Sequence, residues 1–196
     1  MTNFMAKFLF LFILLAFTAP AAFSQDDYNK YDIYAGYSHN RVDLGGRTAG
    51  AGDSEGFNGF EVAVKGNISR YIGIKGDYSY HRKSFTENTP IGTFDIDATL
   101  HTVLGGVELK DNSTEKRAKP FAHFLAGVAN ARLDANFLGV SESENRTGFA
   151  GVIGGGVDVR LSRRVDVRVI QLDYNPTHLD GETQHNFRVG IGLVFR

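Results

Sequence analysis

Three sets of residues in this 196-residue sequence have types and spacings that could do chemistry: charges at every second position, six histidines, and a serine beside one of them. The charges are densest in residues 155–169, GGVDVRLSRRVDVRV, where Asp158, Arg160, Asp166 and Arg168 alternate with apolar residues on either side of a Ser-Arg-Arg turn. The same parity elsewhere collects Glu61, Lys65, Lys75, Asp77 and Arg188. Carboxylates and cations taken from water together pair with one another, because an unpaired buried charge costs several kcal/mol. These nine residues are therefore expected to form an interior ion-pair network.

The histidines offer less. His39, His81, His101, His123, His178 and His185 show no HxxxH or comparable ligand spacing, and cysteine is absent, so no metal site, thiolate nucleophile, disulfide framework or lipoprotein anchor is expected. No cofactor is expected either. Ser38 adjoins His39, but neighbours on a strand point to opposite faces and cannot act as nucleophile and base. A triad drawn from several strands stays open, since triads are defined by geometry and not by order. The stretch GGRTAGAGDSEG lacks the Gly-Lys-Ser/Thr and the following helix of a phosphate loop, and reads as a mobile external loop. A formal net charge of -1 gives nothing that recruits nucleic acid.

The elements that must position these residues are strands, because side chains alternate between faces at a period of two. Alternating segments bounded by Gly, Asn, Asp or Ser recur at residues 31–41, 57–66, 71–83, 96–110, 119–133, 146–160, 165–174 and 184–196, about eight strands in all. Gln171 and Asp173 break the pattern, since they share parity with Val165 to Val169; a β-bulge near Ile170 would return both to the charged face. Long connectors alternate with short ones: after the first strand the long Gly-rich stretch, then NISR, SFTENTPIGTFD, DNSTEKRA, DANFLGVSESEN, LSRR and NPTHLDGET. That rhythm is the signature of an up-and-down barrel with tight turns at one end and longer loops at the other.

Residues 1–24 are expected to be a cleaved signal peptide, with Lys7, an apolar run from Phe8 to Phe17, Pro20, and Ala22 and Ser24 at the small-residue positions. Its removal takes the formal charge from -1 to -2 and leaves residues 25–196 as one domain. No later run approaches the roughly 20 apolar residues of a spanning helix. Any membrane span is therefore made of strands.

An alternating ribbon hides its apolar face in a soluble core or turns it to lipid around a closed barrel. The last strand sets Phe187, Val189, Ile191, Leu193 and Phe195 on one face, and mixes glycine with Arg188 and Arg196 on the other. Glycine beside charge suits the cramped inside of a small barrel. Tyr31, Tyr34, Tyr37, Tyr71, Tyr78, Tyr80, Phe121, Tyr174, Phe187 and Phe195 lie near strand ends, where an interfacial girdle sits.

Together with the leader, the segments YDIYAGYSHNR, KPFAHFLAGVA, GGGVDVRLSRRVDVRVIQLDY and FRVGIGLVFR resemble the outer-membrane β-barrel domain proteins of the OmpA-like transmembrane type, over essentially all of the mature chain. The resemblance implies an all-β fold, a closed up-and-down antiparallel transmembrane β-barrel of about eight strands, in the outer membrane and without a peptidoglycan-binding domain. It implies contact with outer-membrane lipids and lipopolysaccharide, and with the barrel-assembly machinery and periplasmic chaperones during biogenesis. The assembly signal of such proteins is a terminal phenylalanine, which falls one residue early here, at Phe195. The expected role is structural or adhesive, non-enzymatic, through external loops that meet an unidentified ligand. An eight-stranded lumen is just wide enough for side chains to fill, so the network is expected to plug it. A lipid- or peptide-modifying enzyme, a narrow pore and a secreted lipocalin-like binder are the alternatives.

Overall fold

The computed structural model describes residues 28–43, 54–89, 92–113, 116–137, 140–179 and 181–196. The leader and most of the Gly-rich first loop, residues 44–53, lie outside the described residues. Ten strands follow in order: β1 (Tyr31–Asp43), β2 (Ser54–Asn67), β3 (Ile72–Thr89), β4 (Gly92–Lys110), β5 (Ala118–Phe137), β6 (Val140–Arg160), β7 (Val165–Tyr174), β8 (Thr177–Leu179), β9 (Glu182–Gln184) and β10 (Phe187–Phe195). From β1 to β7 each strand pairs antiparallel with the next, β10 pairs with both β1 and β7, and β8 pairs with β6 and β9, so eight strands close into a ring.

Alternation decides the faces as the period-two reading expects. Ile33, Val62, Ile74, Val103, Val128, Ile153, Ile191 and Leu193 point outward and stay exposed, while Asp32, Glu61, Lys75, Glu108, His123, Asp158 and Arg188 point into the lumen and are buried. An apolar outside around a charged inside is the inverse of a soluble protein, and it is what a barrel in lipid requires. Two aromatics depart from the expected girdle: Tyr34 and Phe121 are buried in the lumen, 3% and 6% exposed. Their parity, shared with Asp32 and Lys119, outweighs their nearness to strand ends. A side chain at Gly192 would lie 2.5 Å from Gly36 Cα and 2.8 Å from the Tyr34 ring, so these two glycines make the room that Tyr34 occupies.

The structure carries a bulge beside Ile170. Val157 of β6 faces Ile170 but Asp158 faces Arg168, and β10 skips register over the same place. Val169 and Ile170 both point outward at 48% and 40% exposure, and Gln171 and Asp173 return to the lumen at 0% and 3%. One extra residue thus restores the polar parity of the upper half of β7.

The connectors differ from the expectation. Residues 84–95 and 134–145 are mostly strand rather than loop, and the β3 to β6 hairpins run for 18 to 21 residues each. A strand needs only about 9–11 residues to cross a bilayer, so roughly half of each stands beyond it. Cross-strand polar pairs hold these extensions: Thr86 donates to Asp95 at 2.8 Å, Arg82 to Asp97 at 2.8 Å and Asn130 to Asn145 at 2.6 Å. The last connector also folds, since β8 and β9 form a hairpin through Gly181 at φ 82°, a left-handed conformation that favours glycine. The final strand consequently starts at Phe187 and not at residue 184.

Candidate functional site

Two places gather the polar residues: the charged lumen and the sheet that projects from its long-loop end. In the lumen, eight of the nine expected residues are buried, and seven of them join one network of bonds. Near the short turns, Lys65 Nζ lies 2.7 Å from Glu108 and 2.8 Å from Asp32, and Lys110 Nζ lies 2.7 Å from Asp32 and 3.0 Å from Asp158. Arg168 donates to Asp158 from Nε at 2.8 Å and from Nη2 at 3.2 Å, and from Nη1 to Gln171 at 2.6 Å. Its guanidinium lies 3.9 Å from the centre of the Phe121 ring and 4.3 Å from that of Tyr34. Both inward aromatics thus cover the most central cation.

A second tier sits above. Arg188 donates to Asp173 from Nε at 2.9 Å and from Nη2 at 2.7 Å, and reaches Asp77 at 3.5 Å and Glu61 at 3.6 Å. Lys75 stands 3.1 Å from Asp77 and 3.5 Å from Glu61, and Gln171 Nε2 donates to Glu61 at 2.9 Å and Asp173 at 2.7 Å. Between the tiers a cavity of about 10 Å³, bordered by Tyr34, Lys75, Glu108 and Arg168, has room for about one water.

Two expected members sit apart. Asp166 is buried at the short-turn mouth with Lys119, 3.7 Å away, and Arg196. Arg160 is half-buried there and, among the described residues, joins no ion pair; its Nε and Nη2 have no hydrogen-bond partner.

Sequence parity passed over Asp32, Glu108, Lys110, Lys119 and His123. All follow from the same alternation; Asp32 stands on β1, and the other four on β4 and β5, which mix apolar residues into the lumen face. Leu100, Leu104, Leu125, Ala129, Ala150 and Val152 form a buried apolar cluster with Val42 and Phe57 towards the long-loop end. The lumen thus carries an apolar layer towards the long-loop end as well as its charges.

Ser38 finds a histidine, though not its neighbour: its Oγ lies 2.6 Å from Nε2 of His81 on β3. Ser38 is wholly buried and His81 Nδ1 has no hydrogen-bond partner. Among the described residues, no carboxylate stands at Nδ1 to orient the pair as in a triad. His123 bonds Asp173 at 2.8 Å, but Lys75 and not a hydroxyl faces its other nitrogen, at 3.3 Å. Among the described residues, no group of three His, Asp or Glu is placed to hold a metal ion.

At the long-loop end, β3, β4, β5 and β6 continue as a four-stranded sheet after their flanking partners stop. On β3 the pairing with β2 ends at Arg82, while pairing with β4 runs to Thr89. On β6, pairing with β5 starts at Val140, whereas β8 reaches only Phe149 and Ala150. Among the described residues, Lys83–Thr89 and residues 140–145 are thus strand edges without a partner strand. The sheet's charges pair locally, Arg132 with Asp134 at 2.9 Å and Arg146 with Glu144 at 2.6 Å.

At the opposite end, the tight turns are held by polar contacts on the surface. Arg70 and Lys116 flank Asp111 at 3.1 and 2.9 Å and hold its carboxyl well below the usual carboxylate range. Ser69 and Ser162 each accept backbone hydrogen bonds within their own turns.

Residues 8–195 match the model of the family described as outer membrane protein beta-barrel domain. Among solved structures, the chain is similar to Ail, the attachment invasion locus protein of Yersinia pestis, in complex with the heparin analogue sucrose octasulfate: identity is 21%, the match covers 84% of this chain and 97% of that one, and the TM-score is 0.61. Neisserial surface protein A is similar at 12% identity, over 85% of this chain and 97% of that one, with a TM-score of 0.51. No curated protein matches the sequence.

Proposed function

Since the chain belongs to the outer membrane protein beta-barrel domain family, we propose that this outer-membrane barrel works as a surface-contact protein, with its projecting four-stranded sheet as the contact device and its filled lumen as the rigid support. The observation that carries this reading is the pair of unpartnered strand edges on β3 and β6. An exposed edge presents a row of free N–H and C=O groups, which proteins normally shorten, charge or cover. Here the edges stay long, and an extended polypeptide segment can add to either one by main-chain pairing.

The lumen supports a structural role. Its ion pairs and apolar layer occupy the space through which solute would have to pass, so the network braces the strands against one another and does not guide ions. Phe195, outward-facing and exposed at the end of β10 opposite Val165, is the residue we assign as the assembly signal. Partners of the mature protein are outer-membrane lipids and lipopolysaccharide around the apolar band, and an external ligand at the sheet. Barrel-assembly machinery and periplasmic chaperones act before that.

The heparin-analogue complex of Ail makes sulfated glycan the natural competing ligand. The sheet of this chain carries no surplus cation among the pairs above, which favours polypeptide over polyanion. The test compares cells displaying the intact protein with cells displaying a version trimmed at both hairpins, residues 84–95 and 134–145. Attachment to immobilised extracellular proteins is expected to fall at least fivefold on trimming, while the barrel keeps its heat-modifiable gel mobility. Equal attachment by the trimmed protein would rule out the sheet as the contact device, and attachment to heparin alone would move the contact to glycan.

A further inference from the structure

The tight turns carry exposed cations that neither the lumen nor the projecting sheet uses. By sequence, the connectors at residues 68–71, 111–117 and 161–164 hold Arg70, Lys116, Arg117, Arg163 and Arg164 against Asp111 and Glu115. Arg70 and Lys116 both turn to Asp111, at 3.1 and 2.9 Å, and remain exposed themselves. Arg117, Arg163 and Arg164 are exposed and, among the described residues, join no ion pair. These connectors join β2 to β3, β4 to β5 and β6 to β7, so their cations are spread around one rim of the ring.

The turns also fix how far these charges stand from lipid. Ile68 N and Ser69 N donate to Ile72 O, and Leu161 N and Ser162 N to Val165 O, so each of these two connectors reverses the chain within four residues. Arg70 is two residues from the outward Ile72, and Arg164 adjoins Val165, which pairs with the outward Phe195. Tyr71 is exposed beside that band, with the Arg70 guanidinium 5.3 Å from the centre of its ring. Such an aromatic with a cation over its face belongs at a membrane–water interface. The headgroup layer is about 5–7 Å deep beyond the hydrocarbon, so side chains of this length end among headgroups.

We infer that this rim is a docking surface for anionic phospholipid, with Lys116, Arg117, Arg163 and Arg164 taking the phosphate groups of the surrounding leaflet. Guanidinium and ammonium donors match phosphate oxygens, and each cation held near an anionic surface adds to the attraction. Headgroups surround the rim from the side and reach these exposed cations without a pocket. The apolar band contacts acyl chains whatever their headgroup; the rim adds selection by charge. An acidic polymer beyond the membrane, such as peptidoglycan, is the competing partner, and the shortness of the turns favours lipid.

The test reconstitutes the folded protein in phosphatidylcholine bilayers and measures, by electron spin resonance, the immobilisation of spin-labelled lipids at the barrel surface. Phosphatidylglycerol is expected to associate at least about threefold more strongly than phosphatidylcholine at low salt, and molar salt is expected to remove most of the difference. Lys116→Gln, Arg117→Gln, Arg163→Gln and Arg164→Gln together are expected to bring the two lipids within about 1.5-fold of each other, with heat-modifiable gel mobility retained. Arg117→Lys, Arg163→Lys and Arg164→Lys keep the charge and are expected to keep the preference within about twofold of the native value. If the glutamine variant does not fold, Arg163→Gln with Arg164→Gln alone is expected to lower the preference by about half. Equal association of the two lipids with the native protein, or a preference that survives the glutamine substitutions, would overturn the surface. Sedimentation with purified peptidoglycan through the same cations, without a headgroup preference, would overturn it in favour of the cell wall.

Discussion

Replacing Arg188 with methionine is expected to destabilise the folded barrel by about 3–5 kcal/mol, the range for removing one partner of a buried ion pair. Arg188 is 1% exposed and stands among three carboxylates, bonding Asp173 twice and reaching Asp77 and Glu61. Without it, Lys75 alone among the near cations answers Asp77 and Glu61. Methionine matches the length of the arginine stem, so the loss reports charge and hydrogen bonding more than a cavity. Urea unfolding in lipid vesicles, followed by far-ultraviolet circular dichroism, measures it. A companion Asp173→Asn change removes one of the stranded charges, and the double variant is expected to lose less than the sum of the two singles. Strict additivity would mean that the tier is not a coupled network.

The second large effect lies on the opposite face of the same strand. Ile191 sits midway along β10 at 52% exposure, between the outward aromatic ends Phe187 and Phe195. Ile191→Arg is expected to cost about 2–4 kcal/mol in a bilayer, as for a cation facing lipid at the midplane. Ser143→Arg on the projecting part of β6 meets water instead, and is expected to shift stability by no more than about 0.5 kcal/mol. The two positions are both exposed in the folded chain. Only lipid distinguishes them, so equal and small effects would show that the outward band faces water.

The sequence made the barrel legible because alternation survives wherever one face is lipid-facing and the other polar. It carried β1, β2, β7 and β10 with little ambiguity. Even the bulge at Val169 and Ile170 could be read, because Gln171 and Asp173 would otherwise have faced lipid. What escaped is what alternation does not encode. Thr86, Asp95 and Asn145 look like loop residues, since nothing above the bilayer demands an apolar face, and they pair across strands instead. Tyr34 and Phe121 carry no mark in the sequence that separates an aromatic shielding Arg168 from one in the interfacial girdle. The Ser38–His81 contact joins residues 43 apart in sequence and depends on the β1–β2–β3 register. Lys110 and Lys119 were hidden for a related reason: their strands place leucine and alanine on the same face as charge, which blurs polarity as a guide to the lumen.

The measurement that tests the account most directly is the sidedness of single cysteines in the outer membrane, which a chain without native cysteine permits. Asn145→Cys lies on the projecting sheet, and Leu161→Cys lies in the tight β6–β7 turn, where Leu161 is 70% exposed. A membrane-impermeant maleimide applied to intact cells is predicted to label Asn145→Cys, and to label Leu161→Cys only after the outer membrane has been permeabilised. Labelling of Leu161→Cys on intact cells with Asn145→Cys protected would invert the barrel and place the sheet where it could not meet an external partner.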